Sequence, residues 1–193
     1  MCRIGSLLRT SNRLPGGTTT CHPDAPYLLA SAASYSDDRV KHLIWQLKYE
    51  RRRAAAHALG ALVAGFAAPL TQELHGAALV PIPLHKKRLR ERGFNQSELI
   101  ARAVSRRTGL TLRTDLIRRV RETAPQAECR EREERINNMS GCFALRPGAA
   151  LPKGRIVLVD DVTTSGATLS EAAACLKAAG ARGIIGLVSA KAG

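Results

Sequence analysis

The alternation of apolar and polar positions is clearest in the C-terminal part of the chain. Residues 156–159 are consecutive apolar, mostly β-branched residues, which predict a strand buried on both faces, as in a parallel sheet. Residues 184–188 predict a second buried strand. Between them, apolar residues recur at helical spacing: Leu169, Ala172, Ala173, Leu176 and Ala179. Strand, helix and strand in this order predict a parallel βαβ unit with a right-handed crossover.

The remaining sequence divides into an N-terminal arm and one α/β domain. Residues 1–26 are rich in Gly, Pro, Ser and Thr, which predicts a flexible arm, and residues 27–193 form the domain. The polar residues 121–138 predict either an exposed charged helix or a mobile lid. Hydrophobic spacing predicts the other elements: helices over 40–47 and up to about Ala68, a strand over 77–83, a helix capped by Asn95, and a short strand over 115–120.

Acidic and hydroxyl residues follow the strand predicted at 156–159. Asp160 and Asp161 stand where this strand should end, and the loop that opens the next helix contains Gly166. A helix N-terminus binds phosphate through unpaired N–H groups, and glycine permits close approach of the backbone. The carboxylates can accept hydrogen bonds from sugar hydroxyls or hold hydrated Mg²⁺. The alternative is an acidic turn with a capped helix start. Four side chains add hydroxyl donors: Thr163, Thr164, Ser165 and Thr168.

Two basic segments allow two interpretations each. Residues 85–96 follow a predicted strand and contain Lys86, Lys87 and Arg88, which form either a solvated basic face or a loop that binds pyrophosphate. Lys48 and Tyr49 either end a helix in solvent or face a ligand, and we favour the solvated helix end.

Composition limits the location and the partners of the protein. The formal net charge of +14 attracts polyanions such as nucleic acid, although a high arginine content can also reflect a GC-rich genome. Five scattered cysteines predict a reduced, cytoplasmic protein, and the N-terminus does not resemble a secretory signal. No apolar run reaches membrane-spanning length, so we expect no membrane insertion. The arm lacks the paired cysteines that are typical of a structural zinc site.

The string from Ile156 to Thr168 resembles the phosphoribosyl-pyrophosphate (PRPP) binding motif of type I phosphoribosyltransferases: an apolar run, Asp-Asp, Val, Thr-Thr, Ser, Gly, any residue, Thr. Over residues 27–189 the chain resembles the ComF-type, competence-associated members of that family. The segments that carry this resemblance are Tyr35 through Lys48-Tyr49, Val80-Pro81-Ile82-Pro83, Arg92-Gly93-Phe94-Asn95-Gln96, Thr123 with Gln126, Arg135 with Asn137, and Gly141 with Phe143.

This resemblance implies a Rossmann-like type I phosphoribosyltransferase fold, with a mostly parallel central sheet flanked by helices and a small hood. It implies that Asp160 and Asp161 are catalytic and meet the ribose hydroxyls and Mg²⁺. The pyrophosphate would lie near Lys86, Lys87 and Arg88. The family usually carries an N-terminal zinc module, which residues 1–26 lack. The 5′-phosphate would be held by the loop residues Thr163, Thr164, Ser165, Gly166, Ala167 and Thr168.

Two functions are consistent with these features. The first is an enzyme that binds Mg-PRPP and transfers ribose 5-phosphate to an acceptor with release of pyrophosphate. The second is a non-catalytic accessory factor of DNA uptake, which binds single-stranded DNA or proteins of the competence machinery. The charge of +14 and the ComF resemblance favour the second function, and PRPP as a regulatory ligand would make the two compatible.

Overall fold

A computed structural model describes residues 18–21, 27–123 and 139–192 of the 193-residue chain. Within these ranges the central sheet has six strands, in the spatial order β1-β2-β8-β7-β3-β4. All neighbouring strands are parallel except β1 and β2. The strands of this sheet are β1 (Thr18–Cys21), β2 (Leu28–Ser34), β3 (Ala78–Pro81), β4 (Thr111–Leu112), β7 (Ile156–Thr163) and β8 (Ile184–Lys191).

Helices cover both faces of the sheet. The described helices are α1 (Asp38–Tyr49), α2 (Arg53–Ala67), α3 (Lys86–Arg92), α4 (Gln96–Thr108) and α5 (Ala167–Ala178), and a 3₁₀ turn (Ala68–Leu70) follows α2. Two helices begin at side-chain caps, because Asp37 accepts a hydrogen bond from the Arg39 N–H and Asn95 accepts one from the Ser97 N–H. The Asn95 cap confirms the helix start predicted there.

The core has two parts, one on each face of the sheet. Val157 and Val159 point to the face covered by α1, α2 and α4, whereas Ile156 and Leu158 point to the face covered by α5. This alternation explains the unbroken apolar run of the strand, since both faces of β7 are buried. On the first face α2 and α4 pack closely, and a Cβ added at Gly60 would lie 2.7 Å from the Cβ of Ala103.

A small second sheet lies beside the α5 face. It consists of two antiparallel strands, β5 (Ile117–Arg119) and β6 (Phe143–Leu145). Its buried side chains join the α5 side of the core. The predicted α/β class, with a mostly parallel sheet, flanking helices and a small hood, is therefore confirmed. Residues 124–138, for which the sequence predicts a lid or an exposed helix, lie outside the described residues.

Three local predictions differ from the structure. Thr18–Cys21 pair with β2 as an edge strand, although the sequence predicts a flexible arm over 1–26. The rest of that arm lies outside the described residues. Lys86–Arg92 form helix α3 and not a loop, and Gly93 ends it at a φ of 75°. Strand β7 does not end before the acidic pair but continues to Thr163, because β8 pairs with it as far as Lys191.

Helix α2 bears on the expectation of no membrane insertion. Residues 53–70 are long and apolar enough to cross a bilayer by length and composition alone. Core helices of soluble proteins pass the same test. Here Leu59, Val63 and Ala67 are fully buried against the rest of the fold. This helix is therefore explained as a core element, and the absence of membrane insertion stays a prediction, as does cytoplasmic location.

Candidate functional site

The site lies at the carboxyl end of β7, beyond the last residue that pairs with β3. Pairing between β3 and β7 ends at Pro81 and Val159, whereas pairing between β7 and β8 continues to Thr163. The last residues of β7 therefore have an open side toward the end of β3. This carboxyl edge is the position at which parallel α/β sheets bind ligands. The N-terminal turn of α4 approaches the open side and brings Ser97 to Asp160.

Asp160 and Asp161 are held in fixed orientations by hydrogen bonds. The Ser97 hydroxyl donates to Asp160 Oδ1 over 2.8 Å, and the Asp161 N–H donates to the same oxygen over 2.9 Å. The Val162 N–H donates to Asp161 Oδ1 over 2.7 Å. Lys48 Nζ lies 3.6 Å from Asp161 Oδ2. The interpretation of Lys48 as a solvated helix end is therefore wrong, since its ammonium group faces the acidic pair.

The acidic pair can accept further donors or a cation. Burial and the neighbouring Asp161 carboxylate raise the pKa of Asp160 to about 7, against the opposing hydrogen bond from Ser97. Asp161 Oδ2 is buried and accepts no hydrogen bond from the described residues. The Lys48 ammonium group offsets its charge from 3.6 Å but is beyond hydrogen-bonding distance, so sugar hydroxyls or a cation at this position would stabilise the pair further.

The start of α5 adjoins the acidic pair. Gly166 occupies its N-cap position with a φ of 77° and has no side chain to cap the helix, whereas the Ala167 N–H donates a long hydrogen bond of 3.5 Å to Ser165 Oγ. A Cβ at Gly166 would lie 2.8 Å from the Tyr27 hydroxyl, so both backbone conformation and space favour glycine here. Thr164 is exposed and Ser165 is half-buried, whereas Thr163 is buried in β7. The exposed part of this loop therefore combines hydroxyl donors with a helix N-terminus, which suits a phosphate group.

A cavity of about 320 Å³ joins these groups. Thr164, Thr168 and both aspartates line one side of it. Of the three residues predicted to bind pyrophosphate, only Arg88 lines the cavity. Lys86 is exposed, and Lys87 lies outside in an ion pair with Glu122, with 3.0 Å between Nζ and Oε1. The cationic groups that line the cavity are Lys48, Arg88, Arg92 and Arg119.

Two of these arginines are held by contacts at the hood, by which we mean the sheet of β5 and β6 and the residues up to Thr123 that follow β5. Arg119 donates a hydrogen bond to Thr123 Oγ1 and lies over the Phe143 ring, 5.7 Å from its centroid. Arg88 Nη2 donates to the Thr123 carbonyl oxygen over 2.9 Å. Burial lowers the pKa of Arg119 below its usual value, and burial does the same for Arg92. An anion bound in the cavity would compensate for the lost hydration of both guanidinium groups.

The sequence patterns did not identify Arg92, Arg119 or Ser97 as site residues. Arg92 and Ser97 lie in the Arg-Gly-Phe-Asn-Gln segment or directly after it, so the family resemblance was the available signal for them. Arg119 lies in a short strand of the hood, and no sequence pattern connects it to residues 160–168.

A metal ion would meet two carboxylates at this site. Within the described ranges, no group of three or more His, Cys, Asp or Glu side chains could hold a metal. Mg²⁺ often binds through one or two carboxylates and completes its octahedral shell with water and substrate phosphates. Because Asp161 Oδ2 accepts no hydrogen bond within the described part of the chain, the pair fits an ion that is bound together with a phosphorylated ligand.

Comparison with known proteins reveals the family. No protein-family model matches the sequence. The DNA utilization protein YhgH of Escherichia coli K12 is 33% identical over 195 residues, which cover 95% of this chain and 81% of that protein. Competence protein F of Haemophilus influenzae is 33% identical over 104 residues, covering 53% of this chain and 45% of that protein. The chain belongs to the ComF-type family.

Another ComF-type relative is the competence protein ComFC of Bacillus subtilis, which is 37% identical over 98 residues, covering 51% of this chain and 37% of that protein. The crystal structure of TT1426 from Thermus thermophilus has 22% identity and a TM-score of 0.34, and the match covers 69% of this chain and 83% of that one. The names of the ComF-type relatives refer to competence and DNA utilization.

Proposed function

We propose that this chain binds Mg-PRPP at the carboxyl end of β7 and transfers ribose 5-phosphate to an acceptor. One observation carries the proposal: the acidic pair, four cationic side chains, and Thr164 and Thr168 on either side of the helix start at Gly166 line one cavity of about 320 Å³. A phosphate, a diol and a pyrophosphate are the three parts of PRPP. Each of them meets a group of suitable chemistry here.

The residues divide into three roles. The α5 N-terminus with Thr164 and Thr168 binds the 5′-phosphate, and Asp160 and Asp161 accept hydrogen bonds from the ribose hydroxyls. Arg88, assisted by Arg92 and Arg119, faces the pyrophosphate. Of the predicted pyrophosphate residues, Lys86 and Lys87 do not line the cavity, and Lys87 pairs with Glu122.

The transfer exchanges one bond at the ribose C1 atom. The nucleophilic atom of the acceptor forms a bond to C1, the bond from C1 to the pyrophosphate oxygen breaks, and pyrophosphate leaves with the electron pair. The proton of the acceptor passes to solvent water. Bound Mg²⁺, held by Asp160 and Asp161, would supply charge neutralisation to the phosphates. The protein itself contributes positioning and electrostatic stabilisation and forms no covalent intermediate.

A second candidate function is the binding of single-stranded DNA or of competence proteins without group transfer. The formal charge of +14 supports it, since one small anionic ligand does not need such an excess. The names of the relatives, DNA utilization protein and competence protein, support it as well. The two functions are compatible if PRPP acts as a regulatory ligand.

Calorimetry with Mg-PRPP tests the first function. The double variant Asp160→Asn, Asp161→Asn should lose at least about a hundredfold in affinity, because both the ribose hydroxyls and the metal lose charged acceptors, and a hydrogen bond to a charged group contributes about 1.5–3 kcal/mol. Asp115→Asn is the matched control. Asp115 is exposed and pairs with Arg113 just after β4, so this variant should bind as the unmodified protein does.

Pyrophosphate release with a panel of nucleobases and amines then tests the transfer itself. Equal affinity of the double variant and the unmodified protein for Mg-PRPP would overturn the site assignment. Tight binding without pyrophosphate release from any acceptor would favour the regulatory version of the second function.

A further inference from the structure

Three aromatic side chains form a stripe on α1. His42, Trp45 and Tyr49 are spaced by three and four residues, so they lie on one side of the helix. The ring centroids of His42 and Trp45 are 6.4 Å apart with planes inclined by 15°, and those of Trp45 and Tyr49 are 5.9 Å apart with planes inclined by 39°. We call these three residues the aromatic stripe.

The aromatic stripe is exposed in a chain that has few aromatic residues. Trp45 is 48% exposed and Tyr49 is 65% exposed, although the whole chain contains one tryptophan and three tyrosines. The other large hydrophobic side chains that are exposed in the described ranges are aliphatic: Leu62, Leu89 and Val120. A contiguous exposed aromatic surface of this kind is typical of a binding site.

The stripe continues into the candidate functional site. Trp45 and Tyr49 line the cavity that contains Asp160 and Asp161, whereas His42 does not line it. The stripe therefore begins in the cavity and extends out of its mouth. A free small molecule is usually enclosed on most sides by its pocket. An open row of rings instead suits consecutive bases of a strand, which stack on exposed aromatic platforms.

Cationic side chains lie at both ends of the stripe. Lys41 precedes it, and Arg51 to Arg53 follow Glu50, the C-cap of α1; all four cationic residues are exposed. Arg51 holds a φ of 56°, a left-handed conformation that costs a non-glycine residue about 1–2 kcal/mol. Arg52 is partly neutralised by Glu50, with 2.6 Å between Nε and Oε2. Stacking surface between cations is the combination that binds single-stranded nucleic acid.

We propose that the aromatic stripe is a stacking platform for the bases of single-stranded DNA, and that Lys41 and Arg51 face the phosphates of the same strand. The proposal rests on the DNA-binding candidate function and assigns its contact surface. The strand then passes the mouth of the cavity that holds the acidic pair, so DNA and a ligand in the cavity contact adjoining residues of α1.

The fluorescence of Trp45 is a direct reporter, since it is the single tryptophan of the chain. A single-stranded oligonucleotide should quench it as bases stack on the ring. An abasic oligonucleotide of the same length keeps the phosphates and removes the bases. It should bind at least about fivefold more weakly and leave the fluorescence nearly unchanged.

Variants separate stacking from charge. Tyr49→Leu keeps the tryptophan reporter and should weaken oligonucleotide binding about five- to tenfold, whereas Tyr49→Phe keeps the ring and should bind nearly as the unmodified protein does. Neither variant should change the slope of log affinity against log salt. Lys41→Gln and Arg51→Gln should each reduce that slope by about one. Leu62→Ala, an exposed aliphatic change on α2, is the control and should change nothing.

Each outcome decides between the proposals. Oligonucleotide binding with constant tryptophan fluorescence, or equal affinity for the abasic strand, would overturn the stacking platform and leave DNA binding intact. The absence of any binding at low salt, where electrostatic attraction is strongest, would overturn both. The abasic comparison uses the unmodified protein, so it does not depend on the folding of any variant.

Discussion

The two sides of the candidate site are built in different ways. The side that we propose for the sugar and the 5′-phosphate comes from one segment, Asp160 to Thr168, in which strand, acidic pair and helix start follow each other. The cationic side comes from three separate elements, since Lys48 lies on α1, Arg88 and Arg92 on α3, and Arg119 on β5. A local segment leaves a continuous pattern in the sequence, whereas a surface assembled by the fold does not.

The first of three further predictions concerns the local side and has the largest expected effect of the three. Gly166→Ala should weaken Mg-PRPP binding at least about thirtyfold, because it would displace the loop whose N–H groups we propose to bind the phosphate, and hydrogen bonds to charged groups contribute about 1.5–3 kcal/mol each. It should also reduce the free energy of unfolding by about 2 kcal/mol or more, from the positive φ and the contact with the Tyr27 hydroxyl. Calorimetry and denaturant titration measure the two effects.

Gly109 offers a matched control for this change. It ends α4 at a φ of 72°, and nothing lies within 4 Å of an added Cβ. Gly109→Ala should therefore reduce the free energy of unfolding by about 1 kcal/mol and leave PRPP affinity unchanged. If both alanine variants lose affinity equally, the effect comes from general destabilisation and not from the phosphate loop.

The second prediction concerns the assembled side. Arg88→Gln should weaken Mg-PRPP binding about tenfold, since Arg88 lines the cavity and a charge-assisted contact to the pyrophosphate would be lost. Lys87→Gln should change the affinity less than twofold, because Lys87 is exposed and its ion pair with Glu122 is outside the cavity. Equal losses in the two variants would mean that α3 acts as a diffuse basic surface and that the cavity does not select among its cations.

The sequence was most informative where neighbouring residues determine structure. Hydrophobic runs predicted β7 and β8 because both faces of these strands are buried, and Asn95 predicted a helix start because its cap acts on Ser97, two residues away. These features need no knowledge of the tertiary fold. The same holds for the acidic pair near the end of β7 and for Gly166 at the start of α5, since Asp161 and Gly166 are only five residues apart.

The features of the site that the sequence patterns did not predict depend on tertiary contacts. Lys48 looks like an ordinary basic helix end, and only the packing of α1 on the sheet brings its ammonium group to Asp161. The extent of β7 also depends on its neighbours, since pairing with β8 keeps the carboxylates in the strand after β3 has ended. Arg119 reaches the cavity through its contacts with Thr123 and Phe143, which no pattern of spacing reveals.

The third prediction concerns the loss of stability caused by burial of the Asp160 carboxylate, and its expected effect is the smallest of the three. The pKa of Asp160 is raised to about 7 in the fold, above the usual value for an unfolded chain, so the native state binds the extra proton between these two pH values. Stability should therefore fall as the pH rises through this window. Asp160→Asn removes the titrating group and with it this pH-dependent loss of stability. The amide oxygen of the asparagine can still accept the hydrogen bond from the Ser97 hydroxyl. The substitution should raise the free energy of unfolding at pH 8 by about 1 kcal/mol and have little effect at pH 4.

Thermal denaturation without divalent ions measures this difference, and Asp115→Asn provides a control of opposite sign. The hydrogen bond from Arg113 holds the pKa of Asp115 below its usual value, so this carboxylate stabilises the fold above that value and loses the effect as the pH falls. Asp115→Asn should thus be slightly destabilising at pH 8. If Asp160→Asn were destabilising at pH 8 as well, the acidic pair would be a structural element of the fold, and its unfavourable burial would no longer argue for a ligand.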